Sequence, residues 1–333
     1  MVRIVLDAMG GDHAPQAACE GAVLALRADK ELHILLAGDR EIIEPLIQDA
    51  GDIADRLSVI DAPEMITNHE SPAMAIRQKK DSAVVRGMLM VRSGEADGFV
   101  SAGSTGAVLV GGMLRLGRIP GIERPALAPL LPGEKGSFLL IDCGANVDSK
   151  PEWLAQFGIM GDAYMRKVAG MQKPRVGLIN NGAEEEKGNA LYAAAYPLLK
   201  QAPIHFVGNI EARYIPANQA DVLVCDGFDG NIILKYTEGV AATLLSLIKR
   251  EMTADLRSKI GALLAKPAFK RVKKAMDYTE VGGAPLLGVK GAVIKAHGSS
   301  NARAFHGALR QAATMIRSGV AQAIESNIAN QSN

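Results

Sequence analysis

Over most of the 333 residues, short apolar runs alternate with longer stretches in which apolar residues return every three or four positions. The first run, RIVLD, leads into a helical pattern from about Pro15 to Arg27; others follow at ELHILLAG, RLSVID, DGFVSAG, SFLLIDCG, PRVGLINNG, APIHFVGN, DVLVCDG and AVIKAHG. These runs are apolar almost throughout, as strands covered on both faces are. Their alternation with helical patterns predicts βα units and a three-layer α/β/α, Rossmann-like fold with a mostly parallel sheet. Ser71 then Pro72 marks a helix start, a capping hydroxyl before a proline at the first helical position. The last helix opens near Ser300 and carries FHGALRQAATMI. The chain reads as a single α/β/α domain over 1–333 with one insertion.

That insertion breaks the alternation. From Gly239 to Met276 the pattern is helical with no strand between, and Leu244, Ile248, Met252, Leu256, Ile260 and Leu264 recur every four residues. Pro267 is the expected divide, giving an amphipathic hairpin at about 240–280 with Leu263, Leu264 and Phe269 near its tip. Residues 249–274 hold nine basic side chains (Lys249, Arg250, Arg257, Lys259, Lys266, Lys270, Arg271, Lys273, Lys274) against Glu251 and Asp255, a net of +7. Such a segment suits an acidic protein partner or an anionic membrane surface. A solvated face that packs or dimerises is the plainer reading.

Composition narrows the class. With 48% hydrophobic and 22% charged residues the chain is globular, and its net charge of +1 excludes a general nucleic-acid binder. Cys19, Cys143 and Cys225 form no C-x-x-C and no even framework, which fits a reducing cytoplasm, where we expect the protein, with peripheral membrane contact through the hairpin. Asp7 arrives too early for a secretory signal, and no uncharged apolar run approaches ~18 residues.

Six strands end in one chemistry: LDAMGGD, VSAGSTG, IDCGAN, INNGAEE, CDGFDGN and KAHGSSN. Ligands of open α/β sheets bind beyond the carboxyl ends of the strands, so six polar ends there predict one convergent site; the alternative is that Gly, Asn and Asp are only turn residues. SAGSTG and MGGDHAP each open a helix, where free N–H groups favour an anion, and Ser104 and Thr105 add hydroxyls. Tight strand–helix packing would select the same small residues. No two glycines are separated by one residue and no Gly-Lys pair occurs, so neither the dinucleotide fingerprint nor the P-loop is present. Asp226 and Asp229 could hold a magnesium ion, but we expect no dedicated metal and no cofactor. Cys143 and Cys225 read as small buried hydrophobes rather than nucleophiles. Among the histidines, only His13 and His297 fall in glycine-bearing strand-end loops.

DAMGGDHAP, SAGSTGA, DCGAN, NNGAEEEKGN, CDGFDGN, EVGGAPLLG and KAHGSS, in this order, closely resemble the bacterial phosphate acyltransferases of phospholipid synthesis, the acyl-acyl-carrier-protein:phosphate transacylases. The resemblance runs from Met1 to about residue 325. It implies a homodimer with a fold related to the isocitrate and isopropylmalate dehydrogenases and to phosphate acetyltransferase. It also implies conversion of fatty acyl-carrier protein and inorganic phosphate to acyl phosphate, for a downstream membrane glycerol-3-phosphate acyltransferase. Phosphate is then the nucleophile, Lys187 and Asn231 match the catalytic positions, and Gly10, Gly11, Asp12, His13, Gly103, Ser104, Thr105, Asn146, Asp229 and His297 are supporting candidates. The hairpin would meet carrier protein or membrane. A metal-dependent decarboxylating dehydrogenase and a non-catalytic adaptor are the rival readings. The three glutamates beside Lys187, Glu184 to Glu186, lie in a loop if Asn189 caps the next helix, as Gly188 favours, and are expected to position that one ammonium.

Overall fold

The structure, a computed structural model, describes residues 1–275 and 282–331. Its strands are β1 (Val2–Asp7), β2 (Leu32–Gly38), β3 (Leu57–Asp61), β4 (Gly98–Ser101), β5 (Ala126–Leu127), β6 (Leu130–Gly133), β7 (Gly136–Ile141), β8 (Arg175–Asn180), β9 (His205–Glu211), β10 (Val222–Val224), β11 (Ala284–Leu287) and β12 (Ala292–Lys295). The helices are α1 (Gln16–Ala28), α2 (Arg40–Ile47), α3 (Pro72–Gln78), α4 (Ala83–Ser93), α5 (Thr105–Gly111), α6 (Pro151–Lys167), α7 (Ala190–Gln201), α8 (Gly227–Met252), α9 (Leu256–Ala275), α10 (Ala302–Ser318) and α11 (Val320–Gln331).

Pairing divides the strands into two sheets, β3-β2-β1-β4-β12-β11-β5 and β6-β7-β10-β8-β9. All nine runs expected as strands are strands, and those adjacent to one another pair in parallel. Strand parity then builds the layers. Ile4 and Leu6 of β1, Ala292 and Ile294 of β12, Leu139 and Ile141 of β7, and Val222 and Val224 of β10 enter one buried core. Val5, Val293, Leu140 and Leu223, the residues between them, enter another on the opposite face. Each core draws on both sheets, so helices cover two faces of one continuous middle layer.

Three short strands lie outside that expectation: β5, β6 and β11 pair antiparallel and join the two sheets at a seam. There Cys143 N–H donates to the Leu127 carbonyl (2.9 Å) and Leu140 N–H to the Pro129 carbonyl (3.0 Å). Asp142, fully buried, takes the Leu127 N–H on Oδ1 (2.8 Å) and both the N–H (2.7 Å) and side-chain amide (3.0 Å) of Asn146 on Oδ2.

The hairpin exists but turns elsewhere. α8 starts at Gly227 and α9 at Leu256, so the reversal lies at Thr253–Asp255, and Pro267 sits inside α9 rather than dividing it. Asp255 explains the turn: it accepts from Ser258 N–H (2.9 Å) and Ser258 Oγ (2.7 Å), an N-terminal cap that starts the second helix. Pro267 removes one helical N–H, and the carbonyl it would have bonded, that of Leu263, lies on an exposed turn open to water. Leu263 and Leu264 are therefore two turns into α9, not at the tip, and stand 70% and 78% exposed, while Phe269 is half-buried. Lys249, Arg250, Arg257, Lys259, Lys266, Lys270 and Arg271 are exposed; the side chains of Lys273 and Lys274 and residues 276–281 lie outside the described residues. Among the described residues α8 is the one helix long and apolar enough to cross a membrane by length and composition.

Candidate active site

A cavity of about 240 Å³ opens where strand ends of the two sheets face each other at the seam. Thr105 reaches it from the end of β4, Cys143 from β7, Lys295 and His297 from β12, and Asn231 and Lys235 from α8. Its apolar wall comes from the seam itself, Leu127, Leu130 and Leu131. A polar rim over an apolar wall suits a ligand with one charged and one hydrocarbon part.

Local structure fixes these groups. Asp226 caps α8 by accepting Phe228 N–H (2.8 Å) and takes Ser149 N–H as well (2.9 Å). A Cβ on Gly230 would collide with the Asp142 carbonyl, so only glycine lets the first turn of α8 lie flush against β7. That contact delivers Asn231, the next residue, to the cavity, beside Gly144. Tyr192 of α7 braces the same turn: its hydroxyl donates to Asp229 Oδ2 (2.5 Å) and accepts Asp226 N–H (3.1 Å). Burial, and the proximity of Asp229, push that phenol far above its ordinary value.

Lys295 is buried, at 9% exposure. Its ammonium donates to the carbonyls of Ala296 and Ala102. Burial pulls its pKa down from 10.5 to about 8; Asp7 and Asp12 pull it up, and the neighbouring Lys235 pushes it down further. Asp7 is no direct partner among the described contacts, since its carboxylate takes Ser101 Oγ (2.7 Å) and Met9 N–H (3.1 Å). Burial holds Asp7 above the usual carboxylate range. His297 accepts Ser299 N–H on Nδ1 (3.2 Å), so the neutral ring carries its hydrogen on Nε2.

The remaining candidates separate. Gly10, Gly103 and Ser104 meet at a crevice of only about 20 Å³. A Cβ on Gly10 would lie 2.6 Å from Gly103 N, so the two loops are in backbone contact. Ser104 Oγ accepts Ala107 N–H (3.4 Å) as the cap of α5. Gly11 has a left-handed φ of 105°, and Asp12 N–H donates to the Gly298 carbonyl (2.7 Å), tying the exposed Asp12–His13 loop to the one after β12. Asn146 is buried and holds Asp142 and the Pro125 carbonyl (2.8 Å). Cys143 and Cys225 are buried thiols that desolvation pushes well above 9.0, small hydrophobes as expected.

Lys187 is exposed and is not part of the cavity wall. Asn189 caps α7, accepting Leu191 N–H (3.0 Å) and Tyr192 N–H (3.2 Å), so the three glutamates are in the loop. Among the described contacts none of their carboxylates pairs with the Lys187 ammonium, but the Glu184 carbonyl accepts the Lys187 N–H (3.2 Å). Glu185 pairs with Lys200 (3.0 Å), and two amides also hold the loop: Asn180 donates to the Lys187 carbonyl (3.0 Å) and Asn209 to the Glu184 carbonyl (2.7 Å).

The arrangement has known relatives. A family model described as fatty acid synthesis protein matches residues 2–323. A phosphate acyltransferase from Clostridium botulinum (strain Loch Maree / Type A3) is 49% identical over 327 residues, 98% of each chain. One from Alkaliphilus oremlandii (strain OhILAs) is 50% identical over 98% of this chain and 97% of its own. The chain belongs to the phosphate acyltransferase family. The EutD phosphotransacetylase from Staphylococcus aureus has the same fold at 18% identity, with a TM-score of 0.60 over 95% of this chain and 94% of that one.

Within this member of the family, four groups of the cavity escaped the sequence reading: Lys235, Glu238, Lys295 and Ser300. Lys295 carried a legible signal. Ala292, Ile294 and Ala296 share one face of β12, so parity places Lys295 with Val293 on the other, equally buried, where a lysine is rarely found.

Proposed function

We propose that this phosphate acyltransferase takes its acyl group from acyl-carrier protein and, with inorganic phosphate, forms the acyl phosphate that feeds glycerol-3-phosphate acylation in phospholipid synthesis. The observation that carries the reading is the near-50% identity to phosphate acyltransferases along 98% of the chain. A phosphate oxygen attacks the thioester carbonyl. The new O–C bond forms, the C–S bond breaks, and the electron pair leaves on sulfur, which takes up a proton as free carrier protein. No acyl-enzyme is needed, so the protein's work is to hold an anion beside a carbonyl and stabilise the developing oxyanion. Asn231, on the cavity wall, is the amide donor for that oxyanion, and His297 Nε2–H is a second donor on the same wall. Lys187, free to swing on its amide-held loop, closes over the phosphate as charge builds. We place the protein in the cytoplasm, as a homodimer, with the hairpin serving carrier protein, an anionic membrane surface and the downstream acyltransferase. The exposed stripe of Phe228, Ile232, Tyr236, Leu244 and Ile248 on α8 supports the pairing of two copies.

Incubation of the purified protein with acyl-carrier protein and phosphate, with hydroxylamine as trap, is expected to give phosphate-dependent acyl hydroxamate. No hydroxamate from folded protein removes the reading. Carrier proteins are acidic, and exposed Lys259, Lys266, Lys270 and Arg271 offer complementary charge. Reversing these four to glutamate is expected to raise KM for carrier protein by about tenfold at low salt, the difference shrinking as salt screens it. An unchanged KM at low salt would show that α9 does not steer the carrier.

A further inference from the structure

Three observations on side chains meet at the cavity. First, Lys295 is a buried ammonium whose acceptors among the described residues are two neutral carbonyls, and Asp7, the carboxylate that acts on it most, is engaged by a hydroxyl and a backbone N–H. A buried charge without a bonded counter-charge is unfavourable by several kcal/mol. Second, Lys235 lines the same cavity close enough for its charge to act on Lys295, although like charges repel, and its one ion-pair partner among the described residues is Glu238 (2.8 Å). Third, Ser300, 4% exposed, stands in the wall with its Oγ lacking any hydrogen-bond partner among the described residues. A buried cation, a second cation and an orphaned hydroxyl on one cavity share a single remedy, an oxyanion accepting from all three.

We propose that Lys295, Ser300 and Lys235 form the seat of the phosphate in the ground state, at the cavity end of β12, and that Lys187 lies outside that seat. The inference rests on the transacylase reading and assigns the phosphate a place within it. The seat sits on the same wall as Asn231 and His297, so a phosphate held there faces the donors assigned to the thioester oxygen. Asp7 and Asp12, the other charges acting on Lys295, keep the lysine protonated while phosphate is away.

The test is a split between constants. Lys295→Met is expected to raise KM for phosphate by about tenfold or more, the loss of one charge-assisted hydrogen bond, with KM for carrier protein unchanged. Ser300→Ala, which removes one oxygen and no packing, is expected to raise it about threefold to tenfold. In parallel, inorganic phosphate alone is expected to raise the melting temperature of the wild type and not that of Lys295→Met. If Lys295→Met fails to fold, Lys295→Gln and Ser300→Ala decide the matter by the same two readouts. Wild-type KM for phosphate in these variants overturns the seat while leaving transacylation standing. Phosphate protection of the wild type that is lost in the variants, from a protein that forms no acyl hydroxamate, retains the seat and removes the transacylase reading.

Discussion

Asp142→Ala is expected to lower stability by about 3 kcal/mol, with a matching fall in the urea midpoint. Asp142 is fully buried and its two oxygens take four donors: Leu127 N–H (2.8 Å), Ala145 N–H (3.2 Å), Asn146 N–H (2.7 Å) and the Asn146 amide (3.0 Å). Alanine leaves these donors without partners, each worth about 1–3 kcal/mol when stranded. Part of this is offset because the carboxylate is itself unfavourably placed, burial raising its pKa from 3.8 to about 6. The location makes the loss more than local. Leu127 belongs to β5 of one sheet and Asp142 follows β7 of the other, so the variant loosens the seam on which the cavity is built. A pH signature accompanies it. A folded-state pKa above the unfolded one gives stability that is fully present below about 3.8 and is lost as pH rises through about 6. The wild type should show this downward slope between those values, and Asp142→Ala should lack it. An unshifted urea midpoint would mean that Leu127 N–H finds another acceptor.

Lys187→Ala is expected to lower kcat by about 10²–10³ while the melting temperature stays within error of the wild type. The stability half follows from exposure, since the side chain is in solvent and its loop is held through backbone carbonyls by Asn180 and Asn209. The catalytic half follows from the proposed role: a cation that reaches the reacting phosphate only as charge redistributes affects turnover more than binding. KM for phosphate should therefore change little, the reverse of Lys295→Met. Turnover close to wild type in Lys187→Ala would take the residue out of the mechanism.

How much of this is legible in the sequence depends on which signals are local. The parallel strands are, because strands covered on both faces are unbroken apolar runs such as RIVLD and SFLLID. β5, β6 and β11 are not: they are two to four residues long and lie in RPALAPLLPG and GAPLLG, where proline reads as loop. Pro132 is tolerated because β6 is the edge of its sheet. The hairpin is legible from its four-residue repeat, but for its turn Pro267 is a weaker local signal than Asp255, a capping residue with Ser258 three places on. In the site, Asn231, Thr105 and His297 come together as their polar strand ends imply. Lys295 is legible only through strand parity, and Lys235 and Ser300 are hidden because only the folding of two sheets against each other brings α8 and the turn before α10 to one cavity.

α8 carries Asn231 near its first turn and Lys249 near its last, 18 positions apart and so about 27 Å along the axis. Its anchored end is the buried pair Gly227 and Gly230, one residue from Asn231. A rod held at one end works as a lever: a tilt of about one degree moves the far end, about 39 Å away, by about 0.7 Å, while Asn231 hardly shifts. Motion imposed on the hairpin thus reaches Asn231 geared down several-fold, and the amide proposed to meet the substrate is mechanically insulated from whatever the hairpin touches.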